Sequence, residues 1–349
     1  MSTLPSNKSQ LGQFFTTNYE YILQNLYIPN NIDKIIEPFA GNTDLLSYIE
    51  CKEKYSIECY DIDPKKDIVI ERDTLSNPPD YEGKFVLTNP PYLARNKSNT
   101  KTLFNKYSVN DLYKCFLKTI INSKLVGGII IIPLNFWCSV RVNDVSLRKE
   151  FLERFRVIKV NYFEEQVFDD TSYTVCSFQF ESHINDDMDH QITFDIYPRR
   201  ESLKVLLNKN NSYTIGGEIY NIPKQTRYSI TRLIKGVISN TNIVAKCIDD
   251  SINNKIRLAI VEDKDLVYDN TPNKSARTYA TLVITPELSM EQQEDVVRRF
   301  NSYLDSKREK YHSLFLSNYR ESKSIARKRI SFELVYKIIG QLLVDPEMQ

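Results

Sequence analysis

Residues 86–92 read Val-Leu-Thr-Asn-Pro-Pro-Tyr, and the two prolines decide what this stretch can be. Proline fixes φ and has no N–H to give a neighbouring strand, so the apolar strand through Val86 and Leu87 must stop at Asn89. The Asn89 side-chain oxygen and the Pro90 carbonyl can then converge on one NH2 group, while Tyr92 offers a flat face to a planar ring. Such a site suits a conjugated amino group, a poor nucleophile until its lone pair is drawn out of the ring. An ordinary strand-to-loop exit is the plainer reading of four residues alone.

The surroundings extend the pattern. Ile35-Ile36-Glu37 reads as a short buried strand, Pro38-Phe39-Ala40-Gly41 as a turn and the residues from Asp44 as a helix, a setting in which a nucleotide-like ligand lies against the turn. Glu37 there repels phosphate and attracts a cation. Asp61 and Ile62 end a second strand about 20 residues later, where a carboxylate is placed for ribose hydroxyls; a turn residue before Pro64 is the other reading. A third strand, 68–71, leads to Asp73 and Thr74, with Asp73 able to accept an adenine amino hydrogen. Further strands are expected at 84–89, 127–133, 157–163 and 173–181, and helices at 17–26, 111–123 and 144–155. Seven strands spaced by helices predict an α/β fold, a doubly wound sheet.

After residues 183–190 the pattern changes to short strands and turns, which predicts domains at 1–190 and 191–349. Ser289-Met290-Glu291-Gln292 is a capping box opening a helix, and the stretch from Arg320 to Leu343 reads as a helix carrying the cluster Arg327-Lys328-Arg329. That cluster is either a phosphate contact or a solvated basic turn. The net charge of +1 divides unevenly: residues 1–195 hold 21 Lys+Arg against 27 Asp+Glu, and residues 196–349 hold 25 against 18. A basic second half suits a polyanion. So does the polar loop behind Pro91, with Arg95, Lys97 and Lys101.

Other classes are set aside. Six cysteines without a Cys-x-x-Cys pair and three histidines give no zinc or disulfide framework, and no metal is expected. Pro79-Asp80 followed by Glu82-Gly83-Lys84 spells a compressed nuclease signature, but one intervening residue cannot join the two strands such a site needs. The absence of a long apolar run or of a signal-peptide pattern predicts a soluble intracellular, cytoplasmic chain.

In this order, over roughly residues 10–181, the motifs resemble the amino-group (adenine) DNA methyltransferases of the gamma arrangement, which depend on S-adenosylmethionine. Gln13-Phe14-Phe15-Thr16 resembles that family's N-terminal cofactor segment, Glu37-Pro38-Phe39-Ala40-Gly41 its cofactor turn, and Asp61 with Ile62 its ribose acid and neighbour. Asp73-Thr74 matches the position beside the cofactor adenine. Asn89-Pro90-Pro91-Tyr92 matches the catalytic motif, with Asn89 and Pro91 also lining the cofactor, and Phe168 the aromatic behind a flipped base. Thr43 stands where the family has a second glycine, and Thr17 where it has proline. The resemblance implies a Rossmann-like methyltransferase sheet with a smaller α+β target-recognition domain. It also implies methyl transfer to adenine in double-stranded DNA within a restriction-modification system, with a separate restriction endonuclease as a partner. RNA or a protein glutamine amide are alternative substrates, and a DNA-binding subunit without activity is the non-enzymatic alternative.

Overall fold

The isoleucine run 129–132 forms the buried middle of a large sheet. The computed structural model describes residues 12, 16–169, 171–183, 189–269, 278–322, 325–345 and 347–348. The chain divides into two compact units, Met1–Phe136 with Arg141–Tyr213, and Trp137–Val140 with Thr214–Gln349.

In the first unit the strands are β1 (Lys34–Glu37), β2 (Ser56–Asp61), β3 (Ile70–Glu71), β4 (Phe85–Thr88), β5 (Gly127–Pro133), β6 (Phe155–Phe163), β7 (Val175–Ser182), β8 (His190–Tyr197) and β9 (Glu201–Leu207). They lie in one sheet in the order β3-β2-β1-β4-β5-β7-β6-β8-β9. The run from β3 to β5 is parallel, whereas β7 enters antiparallel between β5 and β6. Every residue of β4 and β5 is buried, as a continuous apolar run in a parallel sheet requires. Gly128 admits β4: a Cβ there would lie 2.3 Å from Val86 Cγ1 and 2.6 Å from the Val86 carbonyl oxygen.

The α/β class holds, but other expectations of detail do not. The sheet has nine strands rather than seven, because β8 pairs parallel with β6 and β9 antiparallel with β8. The first unit therefore runs past the expected boundary at 190 to Tyr213. The helix expected after Gly41 is a 3-10 turn at Asp44–Tyr48, and that expected at 17–26 shrinks to α1 (Tyr19–Ile22) with turns behind it. Asn25, at φ 59°, ends the first segment in a left-handed conformation, and in the other the Leu46 N–H reaches only three residues back, to the Thr43 carbonyl.

Helix α2 (Thr102–Tyr107) lies in the loop behind Pro91. Helix α3 (Leu112–Ile121) packs Leu112, Phe116, Leu117 and Ile120 inward. Helices α4 (Asn135–Cys138) and α5 (Val142–Arg154) precede β6.

The second unit is α+β. Strands β10 (Ser229–Arg232), β11 (Ile243–Lys246), β13 (Arg257–Ile260) and β14 (Tyr279–Thr285) form an antiparallel sheet, while β12 (Ile248–Asp249), β15 (Asn318–Ser322) and β16 (Ala326–Arg329) form another. Helix α6 (Met290–Tyr311) opens on the expected capping box, in which Ser289 Oγ accepts from the Gln292 N–H at 3.2 Å and Gln292 Oε1 accepts from the Ser289 N–H at 2.9 Å. Helix α7 (Phe332–Val344), capped by Ser331, buries Val335, Ile338, Ile339 and Leu342. Each such side chain contributes about 1.5–3 kcal/mol against remaining exposed.

The Arg327-Lys328-Arg329 cluster lies on strand β16 rather than on a helix. Period-2 alternation puts Arg327 and Arg329 on one face and Lys328, only 3% exposed, on the other. Among the described residues no helix is long and apolar enough to cross a membrane.

Candidate active site

Strand order reverses between β1 and β4, which are adjacent and parallel. In open α/β sheets, ligands bind outside the carboxyl ends of the strands at such a reversal. β1 ends there in Glu37, β4 leads into Asn89, and β2, beside β1, ends in Asp61. The sheet thus gathers three segments that are far apart in sequence.

The Asn89 amide is held at both ends. Its Nδ2 donates to Thr16 Oγ1 at 3.0 Å, and its Oδ1 faces the Tyr92 hydroxyl, whose one hydrogen is shared between that oxygen and the Ile131 carbonyl at 2.7 Å. Four residues before Thr16, the Gly12 carbonyl accepts the Tyr92 N–H at 2.9 Å. Residues 12 and 16 therefore clasp the loop 89–92 at two points. Gly12 has φ +66°, and a Cβ there would lie 2.7 Å from the Tyr92 carbonyl oxygen and 2.9 Å from its carbonyl carbon. No other residue fits that approach.

The sequence reading gives Thr16 to the cofactor; in the structure it holds Asn89. Gln13, Phe14 and Phe15, assigned to the same task, lie outside the described residues. The Pro90 carbonyl takes none of the hydrogen bonds among the described residues. Tyr92 differs most from expectation. Its ring is 2% exposed, met edge-on by Tyr113 and Tyr173 with centroids 6.2 and 6.1 Å away, so no face is open to a planar ring in this conformation. The cause is its hydroxyl, which finds two buried acceptors inward. Burial, reinforced by Cys176 and Asp111, raises its pKa well above the usual value and keeps it a donor. Tyr173 went unnoticed in the sequence because it reads only as the start of a strand. Phe168 is buried at 3% exposed.

Asp111 is a second missed residue. Its carboxylate accepts the Leu93 N–H at 3.1 Å and so tethers the chain just beyond Tyr92. Burial raises its pKa to about 6 against the lowering effect of Lys114 and of backbone N–H groups.

On the β1 side, Glu37 is 1% exposed and its buried Oε2 has no hydrogen-bond partner among the described residues. Desolvation, then the charges of Asp44 and Asp61, raise its pKa well above the ordinary carboxyl value. A cation placed there would stabilise all three carboxylates at once. Asp61 accepts the Gly41 N–H at 2.8 Å on Oδ2 and the Asp63 N–H at 2.9 Å on Oδ1. Ile62 beside it is 44% exposed, an apolar face at the strand end.

Thr74 Oγ1 donates to the Pro38 carbonyl at 2.9 Å, which joins the β1 turn to the segment after β3. Asp73 Oδ1 accepts the Leu75 and Ser76 N–H groups at 3.2 and 3.1 Å, so that oxygen closes a turn. Phe39 packs edge-on against Phe116. Thr43 adopts φ 65°, ψ 24°, a left-handed conformation that explains why glycine suits this position. Pro91, like Pro38, is buried.

The basic loop behind Pro91 uses some of its charge internally. Arg95 donates to Asn105 Oδ1 at 2.8 Å, and Lys101 bonds the Arg95 and Ser98 carbonyls. Lys97 is exposed and takes part in no ion pair among the described residues. In the second unit Arg327 pairs with Glu321 at 3.1 Å. Among the described residues no group of three or more His, Cys, Asp or Glu could hold a metal.

No protein-family model and no curated protein matches this chain. Among solved structures it is similar to the type I restriction-modification system methyltransferase subunit from Streptococcus thermophilus, with TM-score 0.38 and 12% identity over 63% of this chain and 52% of that one. It is similar to the type I restriction enzyme EcoKI M protein, with TM-score 0.38 and 12% identity over 74% of this chain and 65% of that one. A chain of a type I R-M system complex gives TM-score 0.42 and 16% identity over 55% of this chain and 46% of that one. The chain spans about half the length of the first structures it resembles.

Proposed function

We propose that this chain is an S-adenosylmethionine-dependent methyltransferase acting on the exocyclic amino nitrogen of adenine in double-stranded DNA. The observation that carries the reading is the Asn89 amide at the β1/β4 reversal, anchored by Thr16 at its nitrogen and with its oxygen toward the Tyr92 hydroxyl. A hydroxyl on that oxygen occupies the position of an amino hydrogen. The residues around Glu37 fit the cofactor: a buried carboxyl oxygen with no partner among the described residues, flanked by two more acids, suits a cationic nucleoside and opposes a phosphate. In this reading Glu37 and the turn to Gly41 hold the cationic end, Asp61 the ribose, and Ile62, Asp73 and Thr74 the base.

When bound, the cofactor supplies a methyl group on a positively charged sulfur. The chain's own residues supply position and polarisation. Asn89 Oδ1 and the Pro90 carbonyl accept the amino hydrogens and draw the lone pair out of the ring. Tyr92 stacks on the base once its hydroxyl leaves Asn89 and the Ile131 carbonyl and its ring turns out of the packing with Tyr113 and Tyr173, and Phe168 closes the far side. Extruding the base from a duplex costs a few kcal/mol, which stacking and phosphate contacts offset. Lys97 and Arg95 lie on the loop behind the motif, and residues 214–349 carry 21 Lys+Arg against 17 Asp+Glu, a balance that suits the phosphate backbone. By the resemblance, the chain is the modification member of a restriction-modification pair with a separate endonuclease.

The test is methyl transfer from labelled S-adenosylmethionine to a duplex panel, with digestion to nucleosides and comparison of wild type with Asn89→Ala. Methyladenine in the wild-type product and at least a tenfold loss of turnover in the variant, about 1.4 kcal/mol or more, are expected. Transfer to no nucleic acid, or a variant retaining more than a tenth of turnover, refutes the assignment. Transfer to RNA or to a peptide glutamine would reassign the substrate.

A further inference from the structure

An asparagine amide has a donor end and an acceptor end of nearly the same shape, and a half-turn of the side chain exchanges them. Turned the wrong way, Asn89 would present N–H groups to an amino group that is itself a donor. Something has to fix the choice. Thr16 Oγ1 lies 3.0 Å from Asn89 Nδ2, with Thr16 4% and Asn89 9% exposed, and takes the donor end. The Tyr92 hydroxyl, on the acceptor end, competes with an entering amino group for that oxygen and has the Ile131 carbonyl as a second acceptor, so it holds the amide less firmly at the moment of reaction. Thr16 can stay, because Gly12, four residues earlier, is bound to the Tyr92 backbone rather than to its side chain.

We propose that Thr16 is a positioning residue that fixes the orientation of the Asn89 amide, keeping its oxygen toward the reacting amino group. The proposal rests on the role given to Asn89 above. It takes Thr16 out of the direct cofactor contacts in which the sequence places it.

The experiment compares wild type, Thr16→Val, which keeps the shape and loses the oxygen, and Thr16→Ser, which keeps the oxygen. Turnover at saturating cofactor is expected to fall roughly tenfold or more in the valine variant, as loss of one buried hydrogen bond and a misdirected amide imply, and to return to within about threefold in the serine variant. Calorimetric affinity for S-adenosylmethionine is expected to stay within about twofold in all three. A cofactor affinity that falls in parallel with turnover, or a valine variant with wild-type turnover, overturns the proposal. The exchange of the Asn89 side-chain amide protons, followed by NMR, reads the bond without any activity. Protection in wild type and Thr16→Ser with loss in Thr16→Val supports the assignment, and equal exchange in all three overturns it. A wild-type chain that methylates nothing removes the functional reading and leaves this second measurement to decide on Thr16.

Discussion

Replacing Gly12 by alanine tests the clasp on the loop 89–92. A left-handed backbone costs an L-residue about 1–2 kcal/mol, and Gly12 has φ +66°. The added Cβ begins 2.7 Å from the Tyr92 carbonyl oxygen, whereas ordinary contact starts at 3.4 Å, so one of two backbone segments must withdraw by about 0.7 Å. That movement stretches the 2.9 Å hydrogen bond from the Tyr92 N–H, a loss of about 1 kcal/mol. Together these give about 2–3 kcal/mol of local destabilisation. The Tyr92 amide proton is the reporter, since its acceptor is the Gly12 carbonyl. Native-state hydrogen exchange at Tyr92 is expected to quicken by roughly 30- to 160-fold in Gly12→Ala, with smaller changes at amides in the middle of β5. Unchanged exchange at Tyr92 together with an unchanged urea midpoint would refute the reasoning, because both the strain and the collision would then be absent.

Two further outcomes follow from the same region. Thr43→Gly is expected to raise stability by about 0.5–1 kcal/mol in urea titrations, since relief of about 1–2 kcal/mol at φ 65° exceeds much of the extra entropy glycine gains in the unfolded chain; a loss would show that the threonine side chain makes a needed contact. For Asp111 the folded pKa, about 6, lies above the ordinary 3.8, so its contribution to stability is fully present below pH 3.8 and is lost as the pH rises toward 6. Stability of wild type relative to Asp111→Asn is therefore expected to fall across that window and stay level above it, and a difference that rises with pH would contradict the burial assigned as the cause.

What the sequence disclosed and what it hid divide along physical lines. The strands 127–133 and 84–89 were legible because buried parallel strands have a continuous apolar signature, and Asn89 because two prolines must terminate a strand. The α6 capping box was legible because it is a local exchange of hydrogen bonds within four residues. The 3-10 turn after Thr43 was not, since the apolar pair Leu45 and Leu46 suits either a helix or a tighter turn. Composition changes near 190 and so suggests a boundary before β8 and β9, whereas the pairing that holds β8 to β6, and β9 to β8, is invisible in local sequence. Arg327 to Arg329 read as helix from the periodicity that begins at Phe332, but Ser331 caps that helix and separates it from the strand. At the site, residue types were legible and their contacts were not: that Tyr92 turns inward, or that Thr16 meets Asn89 73 positions away, depends on tertiary packing.

The clasp also sets an order of events in synthesis. Gly12 leaves the ribosome about 80 residues before Tyr92, and at roughly 5–20 residues per second the first half of the clasp waits about 4–16 seconds for the second. Ile131, whose carbonyl receives the Tyr92 hydroxyl, comes 39 positions later still. An incomplete nascent chain therefore has no assembled Asn89 centre, and the hydrogen-bonded arrangement around Asn89 arises only after the fifth strand has been made.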